Sequence, residues 1–291
     1  MTSRLALGTA QFGSSYGVAN RTGAVSEREL SAILETAKAA GLTVLDTAAL
    51  YGNAESRLGE AGVNGWRIVT KLPPLPADAG DIEQWALNAI HDSLARLRQP
   101  SVFGLLLHRA NDLRGPRAAE LYAALSVAKK QGLVSKIGVS IYSPSELDDL
   151  PSTFKFDLVQ APLNVFDRRL VSSGWLDRLA GEGAEVHARS VFLQGLLLMR
   201  SADRPAYFAR WSPQLAAWTS WFESHHLTAE KACLDFVLSH PSIAQVVIGV
   251  DTVSQLRDLI AAANAPAAAL APSTLAVDDA GLIEPFRWKL S

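Results

Sequence analysis

Four side chains of types that can hold or move protons follow short apolar runs in the sequence. Asp46, Lys71 and His108 each end such a run, and the runs come one after another along the chain. Tyr51 lies five residues after Asp46, a spacing that lets it fold back over the end of the same run. A carboxylate, an ammonium, an imidazole and a phenol brought together form a set suited to general acid catalysis.

Tyr51 is the candidate acid of this set. The ordinary pKa of a tyrosine is about 10, so its phenol is protonated near neutral pH but is a weak acid. A neighbouring ammonium stabilises the phenolate and lowers that pKa. Lys71, held by Asp46, would supply the ammonium, and His108 would donate or orient a hydrogen bond at the oxygen that takes the proton. This set suits the reduction of a carbonyl, which needs a hydride donor and an acid for the forming alkoxide.

The elements that must position these side chains form a repeating pattern. Eight apolar runs rich in Val, Leu and Ile do not alternate with polar residues, which is typical of parallel strands buried on both faces. The predicted strands are Leu5–Thr9, Thr43–Asp46, Ile68–Lys71, Phe103–His108, Ile137–Ser140, Leu158–Gln160, Glu185–Ser190 and Val246–Gly249.

Helical signals lie between these runs. Three capping boxes mark helix starts, and two further stretches carry apolar residues at helical spacing. The boxes are Ser26–Glu29, Ser143–Glu146 and Thr252–Gln255, and the helix that starts at the first box ends at Gly41. The stretches are Glu83–Leu97 and Ala118–Gln131. Strands that alternate with helices predict a single (β/α)8 TIM barrel over residues 1–291, with a C-terminal tail from about 266. A doubly wound open sheet is the alternative, although no Gly-x-Gly-x-x-Gly follows any run.

Two segments do not fit the repeating pattern. Three prolines in Lys71–Pro76 predict a loop that leaves the third strand. The segment 207–222 is rich in Trp, and we expect its rings to be buried under a long loop rather than to contact a ligand.

The composition narrows the class of protein. Of 291 residues, 48% are hydrophobic and 19% are charged, which excludes global disorder. Lys and Arg number 27 against 29 for Asp and Glu, so neither a nucleic-acid-binding surface nor a membrane-adsorbing face is indicated. The single cysteine, Cys233, excludes a disulfide within the chain and a Cys-based zinc site, and we expect no metal. The N-terminal segment turns polar early and no long apolar run follows, so we expect a cytoplasmic protein without a signal peptide or a membrane span. Nothing in the sequence indicates an oligomeric state.

The pattern Asp46-x4-Tyr51, with Lys71 ending the next strand and His108 the fourth, resembles that of the aldo-keto reductases. The resemblance extends from Arg4 to Trp288. It implies a (β/α)8 barrel that uses NADP(H) or NAD(H) to interconvert a small aldehyde or ketone and its alcohol, with Tyr51 as the acid, Lys71 and Asp46 as the ion pair behind it, and His108 as the orienting group. Further stretches that support it are Leu7–Gly13, Ile137–Ser140, Leu158–Gln160, Ile248–Gly249 and the Pro-x-x-Trp of Glu284–Trp288.

The resemblance also implies cofactor-binding positions at the strand ends. Ser140 and Gln160 match positions that hold the nicotinamide carboxamide, although Ile141 replaces the Asn that is usual beside this Ser. Arg189 stands where an aromatic ring often stacks on the nicotinamide, or else it pairs with a carboxylate at the rim, and Ser190 would follow on the pyrophosphate path. The full predicted set is Thr9, Asp46, Ser140, Gln160, Arg189, Ser190, Gly249, Asp251 and Gln255.

The adenosine end departs from the family pattern. Relatives place Lys or Arg for a 2′-phosphate where this chain has Gly249, Val250, Asp251 and Gln255, and Arg257 is the only cation nearby in sequence. An aspartate accepts hydrogen bonds from a free ribose hydroxyl but repels a phosphate. The local residues therefore favour NADH, whereas the family favours NADPH. The helix that opens at Thr252 would offer free N–H groups to this region.

The substrate and two other functions stay open at this point. Phe12, Tyr51, His108 and Arg109 are the predicted substrate contacts; a sugar or polyol would suit Arg109 and Asn164, and an apolar aldehyde would suit aromatic residues, for which Tyr16, Phe166 and Trp211 are further candidates. One alternative is a non-catalytic, cofactor-sensing or regulatory subunit on the same barrel. The other is a Schiff-base aldolase that uses Lys71, which a neighbouring Asp46 disfavours because it raises the pKa of the lysine.

Overall fold

Eight parallel strands close into one barrel in chain order, which confirms the predicted fold class. The computed structural model describes residues 4–21 and 23–290, so the first three residues of the N-terminal segment lie outside it. Thr9, His108 and Ser190 lie one residue past the strands that they were predicted to end. The strands are β1 (Leu5–Gly8), β2 (Val44–Asp46), β3 (Arg67–Leu72), β4 (Val102–Leu107), β5 (Val134–Ser140), β6 (Leu158–Pro162), β7 (Glu185–Arg189) and β8 (Ile243–Gly249).

Helices connect the strands on the outside of the barrel. The α-helices are α1 (Ala10–Gly13), α2 (Glu27–Ala39), α3 (Ala54–Ala61), α4 (Ile82–Leu97), α5 (Ala118–Lys130), α6 (Ser145–Asp148), α7 (Arg169–Ser172), α8 (Trp175–Gly181), α9 (Ser212–Ser224), α10 (Ala229–Leu238), α11 (Val253–Asn264) and α12 (Ala280–Ile283). Short 3-10 helices are Ala110–Leu113, Leu193–Leu198, Ser201–Asp203, Ala206–Trp211, Ser273–Leu275 and Pro285–Arg287.

The strand register brings the carboxyl ends of the strands to one rim. Gly8 is level with Asp46 on one side and with Gly249 on the other. Ser140 is level with Gln160 on the neighbouring strand. The candidate residues that follow the strands are therefore gathered at a single end of the barrel, as the sequence predicted.

Two apolar clusters fill the molecule. The larger one lies between the sheet and the helices, and the smaller one consists of Ala6, Val44, Val69, Leu106 and Leu158 from five strands. The strand register places the members of the smaller cluster on the side of the strands that faces the barrel axis. Their side chains therefore fill the inside of the barrel beneath the rim.

The seam between the first and the last strand is closed by Arg4. Its guanidinium donates to the carbonyl oxygens of Leu238 at 2.7 Å, His240 at 2.6 Å and Ile243 at 2.7 Å. The bond to Ile243 joins residues 239 positions apart in the chain. This side chain therefore fastens β1 to the segment that leads into β8.

Two of the three predicted capping boxes start long helices. Ser26 accepts the N–H of Glu29 at 3.3 Å, and Thr252 accepts that of Gln255 at 3.2 Å. At the third, Ser143–Glu146, the Glu146 carboxylate accepts the N–H of Ser143 at 2.9 Å, and the helix that follows, α6, has only four residues. Pro151 follows three residues after this helix, and a proline disfavours helical geometry in the residue before it.

The C-terminal tail returns across the rim. After α11 the chain passes through the short 3-10 helix Ser273–Leu275, and the N–H of Val277 then donates to the carbonyl oxygen of Phe166. Glu284 pairs with Arg169 at 2.8 Å, which places the following residue pair, Pro285 and Phe286, at the mouth of the barrel.

The Trp-rich segment forms a 3-10 helix and α9 rather than a loop. Phe208, Trp211 and Trp218 are buried in the core, as expected for rings that pack rather than bind. Among the described residues, no helix combines the length and the apolar character that crossing a membrane requires.

Candidate active site

Lys71 and Asp46 form a buried ion pair at the rim. The Nζ of Lys71 lies 2.9 Å from each carboxylate oxygen of Asp46 and donates a third bond, also 2.9 Å, to the carbonyl oxygen of Thr47. Both side chains are nearly inaccessible, with 1% exposure for Lys71 and 5% for Asp46. All three N–H groups of the ammonium are thus used, and the pair is held without solvent.

Gln160 extends this pair to the opposite side of the barrel. Its Nε2 donates to Asp46 at 2.6 Å, so Asp46 accepts from two different strands. The Oε1 atom of Gln160 is buried and has no hydrogen-bond partner among the described residues. A buried acceptor of this kind is usually satisfied by a bound molecule or by water.

Tyr51 and His108 stand over the ion pair. Their rings meet edge to face with centroids 5.9 Å apart, and the Nζ of Lys71 lies 4.9 Å from the centre of the Tyr51 ring. The four predicted catalytic residues are therefore brought together at the rim.

The charge balance at Tyr51 differs from the one expected from the sequence. Burial raises the pKa of Tyr51 above its ordinary value, the Asp46 carboxylate raises it further, and Arg189 opposes both effects. Lys71 was expected to lower this pKa, but the Asp46 carboxylate neutralises its positive charge. The phenol therefore stays protonated at neutral pH, and it is available as a proton donor to a base as strong as an alkoxide.

His108 is held in its neutral form. Burial lowers the pKa of His108 to about 4, and the positive charges of Lys71 and Arg189 act in the same direction. Its Nδ1 is buried and has no hydrogen-bond partner among the described residues. A neutral imidazole has one N–H to offer to an oxygen, which agrees with the predicted orienting role.

The lowered pKa of His108 predicts a pH-dependent stability. The unfolded chain takes up a proton below about pH 6.5, whereas the folded chain does so only near pH 4, so the free energy of unfolding falls as the pH drops through this window. We expect the loss to reach about 3 kcal/mol. Urea unfolding of the wild type and of His108→Asn between pH 4 and 7 measures it, and parallel curves for the two proteins would contradict the assignment.

A long cavity opens from this group across the rim. Its volume is about 970 Å3, at the upper end of the range for ligand pockets. Of the predicted cofactor-binding residues, all line it: Thr9, Asp46, Ser140, Gln160, Arg189, Ser190, Gly249, Asp251 and Gln255. The cavity thus runs from the catalytic candidates to the start of α11.

The residues at the floor of this cavity fit a nicotinamide carboxamide. That group has an N–H2 donor and a carbonyl acceptor. The unpartnered Oε1 of Gln160 would accept from the amide, and the hydroxyl of Ser140 beside it would donate to the carbonyl. Ile141, the replacement for the usual Asn, is fully buried in the core and leaves no side-chain donor at its position.

Arg189 makes no ion pair within the described part of the chain, so the suggested pairing with a rim carboxylate does not occur. Its guanidinium donates to the Oγ of Ser190 at 3.0 Å and to the carbonyl oxygen of Ile141 at 2.9 Å. It lies over the ring of Tyr142, 4.7 Å from the centroid. A half-buried cation with neutral neighbours therefore faces the cavity.

The start of α11 does not offer the free N–H groups that the sequence predicted. Thr252 accepts from Gln255, and the Oε1 of Gln255 accepts the N–H of Asp251 at 2.7 Å. Glu29, from the first turn of α2, accepts the N–H of Val253 at 2.5 Å. The chain's own side chains cap this end, and one of them carries a negative charge.

Several predicted substrate contacts do not line the cavity. Phe12 and Phe166 are fully buried in the core, and Trp211 donates its indole N–H to Asp279 at 3.0 Å instead. Asn164 is also buried, where its Nδ2 donates to the carbonyl oxygen of Ser190. Arg109 is exposed and lines a second chamber of about 270 Å3, which shares Leu50, His108 and Tyr142 with the main cavity.

Two loops meet above the cavity; they contribute Tyr16, which the sequence predicted as a pocket residue, and Gln194, which it did not single out. The N–H of Val18 donates to the carbonyl oxygen of Gln194 at 3.0 Å, and the Nε2 of Gln194 donates to the hydroxyl of Tyr16 at 3.3 Å. At Gly195, with φ +90°, a Cβ would lie 2.6 Å from the Cβ of Ala19. The loop contact therefore depends on a glycine at this position.

Tyr142 and Phe286 are further cavity residues that sequence reasoning missed. Their rings meet at 4.6 Å, so a residue that follows β5 contacts the C-terminal tail. Tyr142 lines both the main cavity and the second chamber. A tail residue so far along the chain carries no local signal of this contact, which only the closed barrel creates.

Known proteins resemble this chain over most of its length. A curated relative, the uncharacterized oxidoreductase YqkF of Bacillus subtilis, is 26% identical over 253 residues, which cover 80% of this chain and 81% of the relative. An aldo-keto reductase from Bacillus halodurans in its holo form has a TM-score of 0.74 at 19% identity, with 94% of this chain and 90% of that chain covered. The glycerol dehydrogenase from Gluconobacter oxydans has a TM-score of 0.71 at 19% identity, with 91% and 88% covered.

At such low identity, these solved structures establish the shared barrel and not a shared substrate. The model of the Aldo/keto reductase family matches residues 4–269, which is most of the chain. With the barrel and the four rim residues in place, this protein belongs to the aldo-keto reductase family.

Proposed function

We propose that this protein reduces an aldehyde or ketone with a hydride from a nicotinamide dinucleotide, or catalyses the reverse oxidation, with Tyr51 as the proton donor. The observation that carries the proposal is the buried Lys71–Asp46 pair beneath Tyr51 and His108, beside a cavity of about 970 Å3 that all the predicted cofactor-binding residues line. Family membership supports oxidoreductase activity on carbonyls, and the site geometry supports the assignment of roles.

In this proposal each rim residue has a separate task. When bound, the cofactor supplies or accepts the hydride. Tyr51 gives its proton to the carbonyl oxygen, and the N–H of neutral His108 orients that oxygen. The Lys71–Asp46 pair fixes the rim beneath the phenol, and Gln160 on β6 ties the pair to the opposite side of the barrel. Ser140 and Gln160 would hold the carboxamide.

The cavity wall favours a substrate with an apolar body over a sugar. Leu50, Tyr16 and Phe286 line the cavity and are 54%, 40% and 56% exposed, so they give its mouth an apolar edge. The residues expected to suit a polyol, Arg109 and Asn164, do not line it. We therefore expect an aromatic or aliphatic aldehyde to have a higher kcat/KM than an aldose.

Absorbance at the reduced-nicotinamide band tests the activity directly. Purified protein is mixed with NADH or NADPH and with a panel that includes benzaldehyde, a straight-chain aldehyde and an aldose. Turnover of a carbonyl that Tyr51→Phe abolishes would support the proposal. Binding of the dinucleotide without turnover of any carbonyl or alcohol would favour the cofactor-sensing subunit instead.

The structure disfavours the Schiff-base alternative. All three N–H groups of Lys71 donate to Asp46 and to Thr47, and Lys71 is only 1% exposed and does not line the main cavity. An amine that attacks a carbonyl must reach it and must have a free lone pair. Borohydride treatment with a keto substrate should therefore leave Lys71 unmodified.

We further propose that the protein does not share the usual preference for NADPH. Carboxylates gather at the adenosine end, where Asp251, Asp258 and Glu230 line the cavity and Glu29 caps α11. Arg257 is exposed and does not line the cavity. A 2′-phosphate placed here would meet these carboxylates. Arg21 and Arg200 also line the cavity but come from other loops, and Arg200 pairs with Asp203.

Steady-state kinetics with both cofactors should show comparable use or a preference for NADH. A hydrogen bond to a charged group contributes about 1.5–3 kcal/mol, or roughly a factor of 10–150, so Asp251→Arg should raise the NADPH:NADH ratio of kcat/KM by at least about tenfold. Asp177→Arg, an equal charge change at an exposed position outside the cavity, is the control. A wild-type preference for NADPH of about a hundredfold at one ionic strength would contradict the proposal.

A further inference from the structure

The charges at the catalytic end of the cavity do not cancel. Lys71 and Asp46 neutralise each other within 2.9 Å, and the lowered pKa of His108 keeps the imidazole uncharged at neutral pH. Arg189 remains, since its described partners are the neutral Ser190 hydroxyl and a backbone carbonyl. The catalytic end therefore carries one half-buried positive charge without a counter-ion from the described residues.

The charge of Arg189 reaches the reacting groups. Arg189 lines the same cavity as Tyr51 and His108. From there it acts to lower the pKa values of Tyr51, Lys71 and His108. Two of the five guanidinium N–H groups are used, and Tyr142 lies against the cation at 4.7 Å. These contacts hold the charge in place at the cavity wall, where solvent screens it less than at an open surface.

The hydride donor must come close to this charge. Hydride and proton add to the two ends of one carbonyl bond, so the ring that exchanges the hydride must lie a few ångströms from the oxygen that Tyr51 protonates. That ring is neutral in the reduced cofactor and carries a positive charge in the oxidised one. A fixed cation nearby is thus more favourable for the reduced form.

We propose that Arg189 makes this protein discriminate between the redox states of its cofactor, so that it binds the reduced dinucleotide more tightly than the oxidised one. This inference rests on the proposed function and adds a residue-specific property to it. The same interaction raises the reduction potential of the bound couple, so the oxidised cofactor formed in carbonyl reduction leaves readily. In the reverse direction, the bound oxidised form is a stronger hydride acceptor.

Equilibrium binding tests this without turnover. The dissociation constants of NADH and NAD+ are measured by quenching of the intrinsic Trp fluorescence or by calorimetry, for the wild type, Arg189→Gln and Arg189→Lys. The ratio of the NAD+ to the NADH constant should fall by at least about tenfold in Arg189→Gln, equivalent to about 1.4 kcal/mol or about 30 mV for two electrons. Arg189→Lys keeps the charge and should retain most of the ratio.

Arg109→Gln is the matched control. Arg109 also acts on His108, but it lies in the second chamber, and its loss should leave the ratio unchanged. Equal weakening of both forms in Arg189→Gln would overturn the inference and assign the arginine to the pyrophosphate, which both forms share. An unchanged ratio would overturn it as well. If the wild type binds neither NADH and NAD+ nor NADPH and NADP+, the proposed function itself fails, and the inference fails with it.

Discussion

Tyr51→Phe should lower kcat by about 10²–10⁴-fold while the Kd for the cofactor stays nearly unchanged, because a general acid acts only as the proton is transferred. The phenylalanine keeps the ring that meets His108 edge to face and removes only the hydroxyl. Local packing is thus preserved, and the loss reports on the proton. A variant that keeps more than half of the wild-type kcat with a good substrate would remove Tyr51 from the mechanism.

The pH dependence of reduction provides a second test of Tyr51 as the proton donor. Burial and Asp46 hold the pKa of Tyr51 above its ordinary value, so the phenol does not ionise as the pH rises through neutrality. The acid form is present below its pKa and would be lost only above it, and kcat for reduction should therefore show no loss from Tyr51 up to about pH 10. Tyr122→Phe removes a hydroxyl that binds Lys155 outside the cavity and should leave kcat unchanged.

Lys71→Met should reduce both the stability and the activity of the protein. The substitution leaves the buried Asp46 carboxylate without its ammonium, and breaking a buried ion pair by removing one partner costs about 3–5 kcal/mol. The unbalanced carboxylate also raises the pKa of Tyr51 further, which makes the phenol a weaker acid. We expect a lower free energy of unfolding in urea together with a lower kcat and an altered pH profile of reduction.

Two further variants separate these effects. Asp46→Asn combined with Lys71→Met should recover much of the stability because no uncompensated charge remains, yet its kcat should stay low. Lys231→Met breaks another largely buried pair, with Asp235, outside the cavity, and should lower stability while kcat is retained. A Lys71→Met protein with wild-type kcat and pH profile would show that the pair serves the fold alone.

The catalytic group was predictable because barrel topology forces it together. Parallel strands in chain order end at one rim, so side chains that follow the apolar runs converge even though Asp46 and His108 are far apart in sequence. Local patterns sufficed to locate each strand within a few residues. What the sequence did not predict is the balance of charge around Tyr51, since this depends on distances from Tyr51 to side chains on three different strands, β2, β3 and β7.

Other failures have particular physical causes. Phe12 follows cavity residue Gln11, but the helical turn of α1 rotates successive side chains by about 100°, and Phe12 therefore faces the core. Glu29 was assigned to a local capping box, and its carboxylate instead binds Val253, 224 residues away. Contacts of this range have no signature in a short window of sequence, whereas strand ends and helix caps do.

The seam fastened by Arg4 has a consequence for how the protein forms. Its partners lie up to 239 residues further along the chain, and β1 pairs with β8. During synthesis from the N-terminus, one edge of β1 remains unpaired until β8 has emerged from the ribosome. Closing such a long loop favours slow folding, and an exposed strand edge favours aggregation. We therefore expect recombinant yield to depend on temperature and chaperone supply more than the stability of the closed barrel would indicate.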